Sequence, residues 1–150
     1  MIQVHPTAVI HPSATIADGV ELGIPFLQGG LVTRRSYIRA NEDIVRRTVR
    51  VIVEAIHYAK TNKEAAVGVL KKYLHIQERE ALEEAYESFV VKQFPKAPYV
   101  LPAAVQTIFD IAATRDPRAK SIDPQGFVEM RFVRELDQSG AIDKLYAPKR

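Results

Sequence analysis

The stretch NEDIVRRTVRVIVEAIHYAK, residues 41–60, constrains the fold most. Asn41 suits a helix N-cap, because its side-chain oxygen can accept from backbone N–H groups two or three residues on. Glu42 and Asp43 then put negative charge at the positive end of the helix dipole. Val45, Val49, Ile52, Ile56 and Ala59 recur at three- and four-residue steps, while Arg46, Arg47, Arg50, Glu54 and His57 fall largely on the other side. The pattern predicts an amphipathic helix with one buried stripe, about which the other elements assemble.

Composition bounds what that assembly can be. A chain of 150 residues with 47% apolar content can bury a single core. A net charge of +3, scattered along the chain, does not argue for nucleic acid. The absence of cysteine excludes disulfides and thiolate chemistry. No apolar run reaches the length of a membrane span, and residues 1–23 lack the basic start and continuous apolar stretch of a secretory signal. The chain as written therefore carries no visible export instruction, and a cytoplasmic location follows from that reading alone.

Residues 1–23, MIQVHPTAVIHPSATIADGVELG, repeat every six positions: Val4, Ile10, Ile16 and Leu22 share one register, and Ala8, Ala14 and Val20 a second. Neither a helix nor a flat strand has that period, whereas the coils of a left-handed parallel β-helix do. This opening resembles the first coil of the hexapeptide-repeat acyltransferases that act on UDP-N-acetylglucosamine. Such enzymes use a histidine as general base, but on a later coil than these hexads reach, so His5 and His11 read as repeat positions. Two histidines six apart, with Asp18 and Glu21 nearby, match no metal-ligand spacing. A single coil cannot bury its own face, because solenoids gain stability by stacking repeats.

After Leu22 the register ends, and GIPFLQGG precedes LVTRRSYI, whose β-branched and aromatic content predicts a strand over about Leu31 to Ile38. Gly29 and Gly30 suit a turn first, and close backbone approach to a ligand second. Arg34 and Arg35 would point to opposite strand faces, so only one of them can aim into a given pocket. Tyr99, beside a proline-rich break, is placed to close over a small molecule or to pack on neighbouring helices. Gln28, Gly29, Gly30, Arg34 and Tyr99 make up the candidate ligand-binding set, with no catalytic residue, metal ligand or cofactor assigned.

Further helices follow. Thr61-Asn62-Lys63-Glu64 spells a capping box and predicts a helix to about Tyr73 that buries Ala65, Ala66, Val69 and Leu70. The next runs from Gln77 to about Gln93, with Leu82, Ala85, Tyr86, Phe89 and Val90 inward. The acidic run Glu78 to Glu84 lies in its first turns, where the dipole favours carboxylates. Prolines 95 and 98 exclude helix, Pro102 suits a first helical turn, and Asp116-Pro117 ends the helix that carries Leu101, Val105, Ile108, Phe109 and Ala112. The tail predicts a short helix from about Glu129 to Gln138, a stop at Gly140 and a last turn over Ala141 to Tyr146.

From about Gly23 to Tyr146 this order, with GGLVTRRSYIRANEDIVRRTVRVIVEAIHYAKTNKEAAVGVLKKYL and FVRELDQSGAIDKLY, resembles the C-terminal part of the substrate-binding proteins of ABC importers for sulfonates, taurine and thiamine-pyrimidine precursors. The resemblance implies a mainly α domain with one or two short strands, part of an α/β periplasmic-binding-protein lobe whose helices pack as a bundle. It also implies a noncatalytic, periplasmic solute-binding role in transport, with a small-molecule ligand and an ABC permease as partners. The division is then 1–23, hexad segment, and 24–150, helical substrate-binding-like part. Helices that normally cover a sheet would expose apolar faces here, which predicts a homo-oligomer. Two alternatives are an acyltransferase remnant and a helical interaction or oligomerisation module whose Arg46, Arg47 and Arg50 face meets an acidic partner or phosphates. No Ser-His-Asp spacing, phosphate-binding Gly-Lys loop or zinc cluster is present.

Overall fold

A computed structural model describes residues 26–148 apart from 28. The hexad segment lies outside the described residues, as does Gln28. The elements in chain order are α1 (Arg35–Ala40), α2 (Glu42–Thr61), α3 (Lys63–Leu74), α4 (Arg79–Ala85) and a π-helical segment (Tyr86–Gln93). Then come α5 (Pro102–Ala113), two 3-10 turns (Pro117–Ser121 and Pro124–Phe127), α6 (Arg131–Gln138) and α7 (Ala141–Tyr146).

Among the described residues there is no strand and no sheet. The strand expected over Leu31 to Ile38 is absent: residues 31–34 are irregular, and Arg35 begins a helix in which the Ile38 N–H donates to the Arg34 carbonyl at 3.1 Å. A lone strand leaves its backbone groups unpaired, and no second strand meets it here, so β-branched content loses to local helical hydrogen bonds. The mixed α/β fold class is therefore corrected to all-helical for the described residues. A periplasmic-binding-protein lobe is organised around a sheet, so that resemblance is overturned, and the transport and solute-binding role it implied goes with it.

The predicted helices are present, but their ends are built differently. Asn41 makes no side-chain cap, and its Nδ2 instead donates back to the Tyr37 carbonyl at 3.1 Å. The capping box at 61–64 does not form: Thr61 ends α2 and donates its hydroxyl back to the His57 carbonyl at 2.8 Å, while Glu64 pairs with Arg79 at 3.0 Å. The Asp43, Glu42 and Lys60 charges still match the dipole of α2. At the other end of the chain, Gly140 takes the left-handed conformation at φ 69° and turns α6 into α7, as the expected stop requires.

α2 is the hub, packing against α1, α3, the π-helical segment, α6 and α7. One core cluster joins Ala66 and Val67 of α3 to Leu82, Tyr86 and Val90, with Ala59, Leu70 and Ile76 around it. The Phe94 N–H donates to the Phe89 carbonyl, five residues back, at 3.2 Å. That wider turn keeps Leu82, Tyr86 and Val90 on one line at steps of four and leaves Phe89, expected inward, on the exposed side.

The second cluster joins Val53 of α2 to Leu136 of α6 and Ile142 of α7. Beside it Phe132, 1% exposed, lies under two guanidinium groups, Arg131 at 4.6 Å and Arg46 at 5.5 Å from its ring centroid. Burying a side chain of this size contributes about 1.5–3 kcal/mol. The apolar tail thus docks on the body through Phe132, Val133, Leu136 and Ile142, whereas Phe127 remains exposed beside the Phe109 ring. α5 packs on the two 3-10 turns, burying Ala104, Val105 and Ala119.

Candidate interaction surface

Helix α2 presents two apolar faces. Its inner face is centred on Val53, 2% exposed, with Val49 beside it. On the opposite side Ile44, Thr48, Val51, Ala55 and Tyr58 follow one another at steps of four, three, four and three, and all five are exposed. At 3.6 residues per turn these positions form a single row along the helix.

The C-terminal half of that row enters an open concavity of about 1180 Å³. Val51, Ala55 and Tyr58 of α2 line it with Ala65, Val69 and Leu70 of α3, Phe94 after the π-helical segment, and Leu145 and Tyr146 of α7. Several of these side chains are open to solvent: Val51 is 60% exposed, Tyr58 57% and Val69 55%. The lining is mainly apolar and open, with Glu54, His57, Thr61 and Asn62 set among the apolar side chains.

Of the polar groups along the concavity, His57 and Tyr146 pack against each other. Tyr146 sits edge-on to the His57 ring, centroids 4.7 Å apart, and the Lys96 ammonium lies 4.7 Å from the Tyr146 ring centroid. Burial raises the Tyr146 phenol above its ordinary pKa, and among the described residues its hydroxyl has no hydrogen-bond partner. Glu54 and His57 also line the concavity and share no hydrogen bond. Among the described residues no group of three or more His, Asp or Glu side chains is arranged to hold a metal ion.

The sequence-derived ligand set lies elsewhere. Gly29 and Gly30 are exposed, and a Cβ added at either would meet open space, so no close backbone approach explains them. Arg34 is exposed at the start of α1. The Tyr99 hydroxyl donates to Asp137 of α6 at 2.7 Å, and that hydrogen bond raises the phenol pKa. None of these four residues lines the concavity. The stripe expected on α2, Val45, Val49, Ile52, Ile56 and Ala59, is half-buried, and the 4-3-4-3 spacing of the outer row is a second apolar pattern in the same sequence.

Of the three arginines assigned to a charged face, Arg46 is committed internally, its Nε donating to Glu135 at 2.9 Å. Arg47 Nε donates to the Asp43 carbonyl at 3.3 Å, and among the described residues neither Arg47 nor Glu54 forms an ion pair. No described helix is long and apolar enough to cross a membrane. A scan against protein-family models gives no match, and searches of the curated proteins and of the solved structures give none either. Neither the importer resemblance nor the acyltransferase resemblance of residues 1–23 therefore has support, and both are withdrawn.

Proposed function

We propose that the chain is a noncatalytic helical oligomerisation module that self-associates through the outer row of α2 and the concavity it enters. The observation that carries this reading is the open, mainly apolar concavity onto which the exposed side chains of Val51, Tyr58, Val69 and Phe94 face. A small-molecule site encloses its ligand and orients it with a few convergent polar groups, whereas this surface is open and mainly apolar. Removing such a surface from water gives the free energy for association, at roughly 25 cal/mol per Å² of apolar area before the cost of immobilising the partner.

Sedimentation velocity of the full chain over a range of concentrations tests the proposal. The expected result is a concentration-dependent assembly that Tyr58→Glu shifts to monomer with helical content unchanged. A chain that stays monomeric at every concentration, sedimenting identically with and without Tyr58→Glu, overturns it.

A further inference from the structure

The outer row of α2 has the spacing of a coiled-coil seam. Positions 44, 48, 51, 55 and 58 recur every 3.5 residues on average, the period at which two helices can keep the same faces together by supercoiling. One flank of the seam carries Arg47 and Glu54, seven residues apart, both exposed and neither in an ion pair among the described residues. The opposite flank is apolar, with Val45, Ile52 and Ala59 half-buried. Arg50 lies further round the helix, outside the seam.

We infer that the partner of this seam is α2 of a second copy, running antiparallel about a two-fold axis, with Arg47 of each copy paired to Glu54 of the other. The inference rests on the self-association proposed above and adds its register. Antiparallel pairing sets Ile44 against Ala55 and Thr48 against Val51, and symmetry repeats both layers, so that a large side chain meets a small one at each end. In that register the two unpaired charges of each flank meet their opposites twice.

The competing arrangements lose this match. Sliding the antiparallel helices by one heptad brings Glu54 against Glu54 across the axis. A parallel pair points Arg47 at Ile52 and Glu54 at Ala59, which leaves all four charges without partners. The row's C-terminal half also gains: Ile44 of the second copy enters the concavity at Ala55, covering apolar surface that the described residues leave open.

Charge exchange in the full chain tests the register. Arg47→Glu and Glu54→Arg each replace two attractive pairs with two repulsive ones, so each alone weakens self-association by roughly tenfold or more. An equimolar mixture of the two variants restores every pair and associates within about threefold of the unmodified chain. The doubly exchanged chain does the same by itself. Circular dichroism provides the folding control, because both side chains are exposed. If the chain assembles but the mixture gains nothing over the separate variants, the antiparallel register is overturned and oligomerisation through another geometry stands. If the unmodified chain is monomeric throughout, both readings fall.

Discussion

Arg46 Nε of α2 donates to Glu135 Oε2 of α6 at 2.9 Å, across 89 residues of chain. A second pair one turn away, Arg131 to Glu42 at 2.8 Å, runs in the opposite sense, with the arginine now on α6. Both guanidinium groups lie over the Phe132 ring. The ion pairs and the ring thus form one clasp, in which charge fixes the register and the apolar ring provides the burial.

The clasp makes stability fall in acid. The hydrogen bond from Arg46, with its charge, holds the Glu135 carboxyl below its ordinary pKa of 4.5. A carboxylate whose folded pKa is depressed contributes stability that is present above the unfolded value and lost as pH falls through the folded one. Glu135→Gln is therefore less stable than the unmodified chain near neutrality, and the gap narrows below about pH 4.5. Urea unfolding of both proteins at neutral and acid pH measures it; a gap that is constant with pH refutes the linkage. Because the pair is exposed, the neutral-pH loss is small.

Tyr86 anchors the other half of the molecule. It is 3% exposed, and its hydroxyl donates to the carbonyls of Ala59 and Lys60 at 3.2 and 3.3 Å, in the last turn of α2 where carbonyls lack helical partners. Tyr86→Phe keeps the ring and removes the donor, at a cost of about 1 kcal/mol. A fall in melting temperature of about 3 °C is expected for a chain of this size. An unchanged melting curve would mean that water satisfies those carbonyls equally well.

These two anchors show what could be read from sequence. Helix existence was legible, because periodicity and terminal residues act locally: α2, α3, α5, α6 and α7 fall close to their expected spans. Partner choice was not. Val53 is the most deeply buried residue of α2, yet it was absent from the predicted stripe, because the residues that bury it, Leu136 and Ile142, lie far along the chain. Arg46 was assigned to the wet face for the same reason. The strand at 31–38 was misread because β propensity has no effect without a neighbouring strand. Gly29, Gly30 and Arg34 are candidates because of that expected strand and Tyr99 because of the proline break beside it, and none of the four lines the concavity.

Tyr99 predicts the alkaline limb. Its hydroxyl donates to Asp137, which raises the phenol above its ordinary 10.0. A raised folded pKa means that the contribution is complete below the unfolded value and is lost as pH climbs through the folded one. Tyr99→Phe is then less stable than the unmodified chain at neutral pH, and the two converge above pH 10. Titration of tyrosinate absorbance checks the cause: Tyr99→Phe loses a component that titrates above the ordinary tyrosine range, and in Asp137→Asn that component moves earlier.

His75 predicts a gain rather than a loss. It ends α3 in the left-handed region, at φ 58° and ψ 23°, and among the described residues it is the one non-glycine side chain with positive φ. A Cβ in that conformation crowds the following carbonyl at a cost of roughly 1–2 kcal/mol, whereas glycine pays less there and gives some of the gain back through its freer unfolded chain. The net expectation for His75→Gly is stabilisation by about 0.5–1 kcal/mol. Two further variants separate backbone from side chain. His75→Ala keeps the Cβ and should leave stability near that of the unmodified chain, while His75→Val adds β-branching and should lower it. Denaturant midpoints ordered glycine, then histidine and alanine, then valine support strain at this turn; equal midpoints for glycine and alanine would locate the effect in the imidazole instead.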